Sequence, residues 1–175
     1  MSEFPVFLRI GLKWGITLTF FFALLSFSFS QNNHLSFVDS VNTYQQMGDS
    51  LLEKGEFTQS IFCLTQAGNF AKEGKLWPEL GFSQIGIAVN YWYSRQYTKL
   101  DSILNEIHQL AQKHLPPDHE IYAYLYNLSS QRYYFQGDLE KSLAVAHKDI
   151  NWELRQNEVD SANLATSYNN IESFT

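Results

Sequence analysis

The chain has 175 residues, a formal charge of -6 and a single cysteine, Cys63. Its few lysines and arginines are scattered along an acidic chain, so the composition disfavours nucleic acid as a partner. A single cysteine excludes an internal disulfide, and packing alone must therefore stabilise the fold.

The amino-terminal segment 1–30 has the three parts of an export signal, namely a positive flank, an apolar stretch and a small-residue end. These parts are Arg9 with Lys13, the segment 15–25 and the segment 28–30. The apolar run from Trp14 to Phe29 is shorter than the roughly 20 residues that a membrane-spanning helix needs. We expect a signal peptide over 1–30, cleaved before Gln31, and a periplasmic or secreted protein. The alternative is an uncleaved segment that anchors the protein to a membrane.

After a polar lead-in, 31–37, apolar residues recur at helical spacing and predict seven helices joined by short turns. Gly55 suits the left-handed turn that ends a helix, and Pro78 suits the first position of one. Asp118 and Asp138 are placed to cap the fifth and sixth helices. The predicted helices cover about 38–54, 57–74, 78–95, 97–115, 118–136, 139–154 and a last segment opened by Asp160.

One pattern of apolar and small residues occurs three times in the chain. Phe57, Tyr97 and Leu139 occupy the same place in it, so the period is about 40 residues, as in stacked helical hairpins. The sequence therefore predicts an all-α array of three helical hairpins and one further helix over 38–175. The three stretches are 51–64, 91–104 and 133–146, and the repeats are about 41–76, 79–115, 119–157 and a partial 160–175.

The hinge 133–143, with Tyr133, Gly137-Asp138-Leu139 and Ser142, resembles the hinge of the tetratricopeptide repeat (TPR) in its 40–42-residue variety, as in kinesin light chains and exported bacterial proteins. The segment 164–171 is similar to the start of a further repeat. The resemblance covers roughly 41–175 and implies a right-handed α-α superhelix. Repeat two has Arg95 where a turn glycine is usual, and Glu172 falls where the next repeat has a small residue.

The resemblance implies a concave binding groove formed by the first helix of each hairpin. Its aromatic floor and polar rim would suit a protein or peptide ligand. Packing of the same rings between repeats is the alternative role for each of them. The implied groove residues are Phe82, Ile85, Val89, Trp92, Tyr93, Tyr124, Asn127, Gln131 and Tyr134, with Gln45, Asp49 and Leu52 contributed by the first repeat.

The sequence offers no catalytic, cofactor or metal motif. No two of its five histidines have the three- or four-residue spacing that places two metal ligands on one helical face. Cys63 is expected to be a buried, inert thiol. The lysine that family members use to clamp a carboxyl terminus is missing from the matching inner positions. We therefore expect a non-enzymatic scaffold without a cofactor.

A second hypothesis is that the chain is the sensory amino-terminal region of a longer protein. Such arrays in the family precede a CHAT protease-like domain, a histidine kinase or a DNA-binding regulator. The array stops inside a repeat, which favours this alternative. In either case the last helix would expose an apolar face with Leu164, Tyr168 and Ile171. We expect self-association through that face.

Overall fold

The computed structural model describes residues 36–156 and six later residues: Ser161, Leu164, Ala165, Ser167, Tyr168 and Ile171. The predicted signal peptide, its cleavage site and Asp160 lie outside these residues. Within the described part every regular element is a helix, which confirms the all-α class. No helix there is long and apolar enough to cross a membrane.

Within 36–156 six helices follow one another with short connections. The first, α1, covers 36–53, so the last two positions of the predicted lead-in are already helical. The others are α2 (Phe57–Glu73), α3 (Trp77–Tyr93), α4 (Tyr97–His114), α5 (Ile121–Phe135) and α6 (Leu139–Glu153).

The same turn closes α1, α3 and α5. Gly55, Arg95 and Gly137 have φ of 74°, 57° and 78°, the left-handed conformation. In each turn the N–H of the following residue donates to a carbonyl oxygen five positions back, at 2.9 to 3.0 Å. This is the Schellman motif, and it satisfies carbonyl groups that a helix end leaves free. Arg95 adopts it although a side chain there costs about 1 kcal/mol or more.

Small residues set the close approach within the first and third hairpins. The Ser60 hydroxyl donates to the Gly48 carbonyl oxygen (2.7 Å), and the Ser142 hydroxyl donates to the Ser130 carbonyl oxygen (2.8 Å). Both serines are buried, and the two bonds join matching positions of their hairpins. The second hairpin has Leu100 at the matching position, also fully buried. The contact between the two helices of a hairpin therefore uses a serine hydroxyl in the first and third hairpins and a leucine side chain in the second.

The first helices of successive hairpins also pack against each other. The Gln45 side-chain amide on α1 donates to the Glu79 carbonyl oxygen (3.2 Å) and the Ser83 hydroxyl (3.1 Å) on α3. Further along, α3 contacts α5. There a Cβ at Gly81 would overlap Ile121 Cδ1, so a larger residue would require the end of the Ile121 side chain to shift. The hairpins thus pack side by side, and a continuous core fills the space between α3, α4 and α5.

Ser167, one of the described residues after 156, contacts the end of this array. The Ser167 hydroxyl donates to Asp149 Oδ2 on α6 at 2.7 Å, and both residues are buried. Burial raises the pKa of Asp149, and the bond from Ser167 partly opposes that shift. Tyr168, which belongs to the predicted apolar face, is exposed. Self-association through this face stays a prediction.

Two predicted helix starts need correction. Asp118 does not cap α5, because the residue before that helix is Glu120 and no side chain caps it. The two prolines before Asp118 keep the chain irregular for longer than the sequence pattern suggested. Pro78 is the second rather than the first residue of α3. Asp138 caps α6 as predicted and accepts a bond from the Lys141 N–H at 3.2 Å.

Candidate functional site

The predicted groove residues of repeats two and three lie on α3 and α5, which are in contact. The interval that relates Tyr97 to Leu139 also pairs Phe82 with Tyr124 and Trp92 with Tyr134. We call the surface that these helices share the aromatic surface. It consists of Phe82, Val89, Trp92 and Tyr93 on α3 and Tyr124, Asn127, Gln131, Tyr134 and Phe135 on α5.

At the beginning of α3 the rings meet across the repeat boundary. Phe82 packs edge-on against Tyr124, with ring centroids 6.2 Å apart, and lies 6.0 Å from the His119 ring. Edge-to-face packing at this distance is favourable because the positive ring edge meets the negative ring face. Phe82 is half-buried and Tyr124 is exposed. Phe82 therefore holds Tyr124 at the surface, where it remains accessible.

A second group of rings meets at the other end of the same two helices. Trp92 packs edge-on against Phe135 at 5.1 Å and against Tyr97 at 6.1 Å. Phe135 in turn packs edge-on against Tyr134 at 5.9 Å. Trp92 is half-buried against the core, whereas Phe135 is 63% exposed and Tyr93 is 62% exposed. Trp92 thus supports Phe135 at the surface, and Tyr93 adds a further exposed ring next to Trp92 in the sequence.

Polar groups separate the two groups of rings. The Gln131 side-chain amide donates to Asn127 Oδ1 at 2.6 Å, one turn of α5 apart. Both side chains are partly exposed, and Val89 on α3 is partly buried against the core. Ile85 differs from the other predicted groove residues, because it is 7% exposed and belongs to the hydrophobic core. Ile85 supports the aromatic surface from beneath and is not available to a ligand.

The first repeat contributes residues of a different character. Gln45 is used in the packing of α1 on α3, so its amide is already engaged. Asp49 is the main charged group there. Desolvation, with a smaller contribution from the charge of Glu53, raises the pKa of Asp49. Leu52 is partly buried. The predicted groove residues therefore change from polar and acidic on α1 to mainly aromatic on α3 and α5.

Phe135 is the residue that sequence reasoning missed. The interval from Tyr93 to Phe135 is the same one that relates Tyr97 to Leu139. Because Tyr93 was assigned to the groove, that interval was sufficient to assign Phe135 as well. It is the last residue of α5, beside the hinge, and the hinge motif in that segment indicates only a turn.

The described residues hold no group of three or more histidine, cysteine or acidic side chains that could bind a metal. Cys63 is buried on α2, as predicted. His114 stacks on Trp77 with ring centroids 3.9 Å apart, and His119 accepts a bond from the Ile121 N–H (3.3 Å). Both histidines therefore have structural contacts.

Comparison with protein-family profiles, curated proteins and solved structures finds no match to this chain.

Proposed function

We propose that the chain is a TPR-like scaffold that binds a protein or peptide segment on its aromatic surface. The single observation that carries this proposal is the exposed ring of Phe135 packed edge-on against the half-buried Trp92, with the exposed Tyr93 next to Trp92 in the sequence. Large rings that remain exposed on a rigid support are typical of binding hot spots, because little conformational entropy is lost when they are covered.

The repeated geometry supports the TPR-like part of the proposal. The three Schellman turns recur at the same repeat position, and α3 packs on both α4 and α5. In a right-handed superhelix of hairpins this packing would place α1, α3 and α5 along the inner side. The aromatic surface would then line a continuous groove.

The chemistry of the surface favours a peptide over a small polar molecule. Rings at both ends offer sites for apolar side chains, and the amides of Asn127 and Gln131 offer hydrogen bonds to a peptide backbone between them. The acidic residues on α1 would favour basic residues in the part of the ligand that reaches the first repeat. We propose a non-enzymatic role in the periplasm or outside the cell, in line with the predicted signal peptide.

The test is selection of binding peptides from a displayed random library, followed by affinity measurement on variants of the chain. Tyr93→Ser combined with Phe135→Ser removes the two most exposed rings of the aromatic surface, neither of which is a buried core residue. We expect a loss of affinity of about thirtyfold or more, because the loss of even one hot-spot ring commonly costs about 2 kcal/mol or more.

The matched control is Phe62→Ser. Phe62 on α2 is 62% exposed, as Tyr93 is, but lies outside the aromatic surface. We expect this variant to bind the selected peptides as the parent chain does. Equal losses in both variants, with unchanged helical circular dichroism, would refute the assignment of the surface.

A further inference from the structure

A cavity of about 290 Å³ lies between α4, α5 and α6. Its α5 residues include Leu125, Ser129 and Arg132, whereas the aromatic surface uses Tyr124, Gln131 and other residues of the same helix. Because an α-helix makes a full turn in about 3.6 residues, these two sets lie on different faces of α5. The cavity is therefore separate from the surface proposed above.

Arg132 is fixed at the wall of this cavity. Its Nε donates to Asp101 Oδ1 (2.8 Å) and its Nη2 to Asp101 Oδ2 (3.0 Å), and its guanidinium carbon lies 4.8 Å from the centre of the Tyr97 ring. The Arg132 side chain is only 14% exposed. A guanidinium group has five N–H donors, and this fork uses two of them. Within the described residues, no acceptor is assigned to Nη1.

Two further cationic or titratable groups line the cavity. Lys148 on α6 and His108 on α4 face it, and neither has an ion-pair partner among the described residues. Among the described lining residues Asp101 is the only acidic one, and Arg132 balances its charge. Lys148 therefore leaves the cavity with a net positive charge, although the chain as a whole is acidic.

The repeat supplies an internal comparison. A second groove lies between α2, α3 and α4, and several of its lining positions match those of the cavity through the repeat spacing. There Gly68 stands where the cavity has His108, and Glu106 stands where it has Lys148. Asn90 occupies the repeat position of Arg132. The set of Arg132, His108 and Lys148 is thus specific to the cavity, whereas the second groove has its lysines, Lys72 and Lys113, at other repeat positions.

We propose that this cavity binds a small organic anion. Its carboxylate or phosphate group would accept bonds from Lys148 and the free Nη1 of Arg132, and its flat apolar part would lie against Tyr126 and Leu104. An apolar cavity of roughly 150 Å³ can hold benzene, so this larger cavity has room for a single aromatic ring with its charged group. The cavity thus combines an apolar part, formed by Leu104, Leu125 and Val145, with charged and polar groups that would fix the orientation of a ligand.

The experiment is a titration of the ¹⁵N-labelled chain, followed by NMR, with benzoate and with phenyl phosphate. We expect shifts at amides of the cavity walls on α4, α5 and α6 at probe concentrations up to about 10 mM, a range that detects weak binding. The tighter of the two probes identifies the headgroup. Benzamide has the shape of benzoate without its charge, and we expect it to shift these amides far less.

Two charge reversals complete the test. Lys148→Glu introduces the residue of the other groove, and we expect it to weaken probe binding about tenfold, since it replaces an attraction by a repulsion. Lys113→Glu in the groove between α2, α3 and α4 is the control, with no expected effect. Equal binding of benzamide and benzoate, an unaffected Lys148→Glu variant, or shifts confined to other parts of the chain would each overturn the proposal.

Discussion

The two junctions between successive hairpins place a polar side chain at the same repeat position and use it differently. Asn90 and Arg132 are related by the repeat interval and lie near the ends of α3 and α5. Each reaches back to the second helix of the preceding hairpin. Asn90 Nδ2 donates to the Ser60 hydroxyl oxygen at 2.9 Å and to the Gly86 carbonyl oxygen at 2.9 Å. Arg132 instead forms an ion pair with Asp101.

The difference lies in what surrounds the two contacts. Asn90 is fully buried, and its Oδ1 has no hydrogen-bond partner in the described part of the chain. The Asp101 side chain is 41% exposed, so the Arg132 ion pair remains in contact with water. A neutral amide can be buried completely when its donors are satisfied, whereas a charge needs water or several partners. We call the junction at Asn90 the dry junction and the junction at Arg132 the wet junction. The same repeat position can therefore hold a fully buried contact or a solvated one, with different contributions to stability.

The strongest test of this comparison is Asn90→Ala at the dry junction. The change removes two hydrogen bonds, leaves the Ser60 hydroxyl oxygen and the Gly86 carbonyl without this donor and opens a small cavity. We expect the free energy of unfolding to fall by about 2 to 4 kcal/mol. Urea denaturation measures this change. A loss below about 0.5 kcal/mol would show that the junction does not depend on the buried amide.

At the wet junction Arg132→Met should have a smaller effect. The expected loss is about 1 kcal/mol or less, because a partly exposed ion pair gains little over hydrated charges. The loss should shrink further at high salt, which screens the pair. Urea denaturation at low and high salt measures both quantities, with Asn90→Ala as the salt-independent reference. A loss at Arg132 equal to that at Asn90 would remove the distinction between the two junctions.

The contact between Asp149 and Ser167 extends the comparison to an acidic side chain that is buried between helices. Because burial raises the pKa of Asp149 above 3.8, the folded state holds its proton more tightly than the unfolded state does. The stability of the chain should therefore fall relative to Asp149→Asn as the pH rises from below 3.8. We expect this to be the smallest of the three effects, because the Ser167 bond opposes it.

The measurement is the difference in the free energy of unfolding between the parent chain and Asp149→Asn, at a series of pH values. The Asn side chain can still accept a bond from Ser167, so the difference isolates the ionisation. If the parent chain gains stability over the variant with rising pH, the bond from Ser167 outweighs desolvation.

Local signals in the sequence predicted much of the fold. Gly55, Gly137 and Asp138 marked turns and a cap by their own conformational and hydrogen-bonding preferences, and the structure confirms them. Asp118 failed as a cap, because the prolines before it restrict the backbone as well. The repeat interval located the small residues Ser60 and Ser142, which form matching bonds.

The parts that the sequence could not supply depend on how the hairpins stack. Asn90 bonds Ser60 and Arg132 bonds Asp101, and the two residues of each pair are 30 and 31 positions apart in the sequence. A shift of one residue in the packing of the helices would give each side chain a different partner. Ile85 was placed in the groove by the resemblance to the TPR, but the packing of α3 buries it in the core. The cavity beside Lys148 also forms only when three helices from two hairpins come together.

The recurrence of one left-handed turn after α1, α3 and α5 has a consequence for how such a chain can lengthen. Because the first helix of each hairpin ends in the same backbone geometry, a block of one whole period could be copied in frame without requiring a new type of connection. Lys75, with φ of 56°, extends the same conformation to the link between the first and second hairpins. Duplication of complete periods would therefore be compatible with the backbone conformation of these turns.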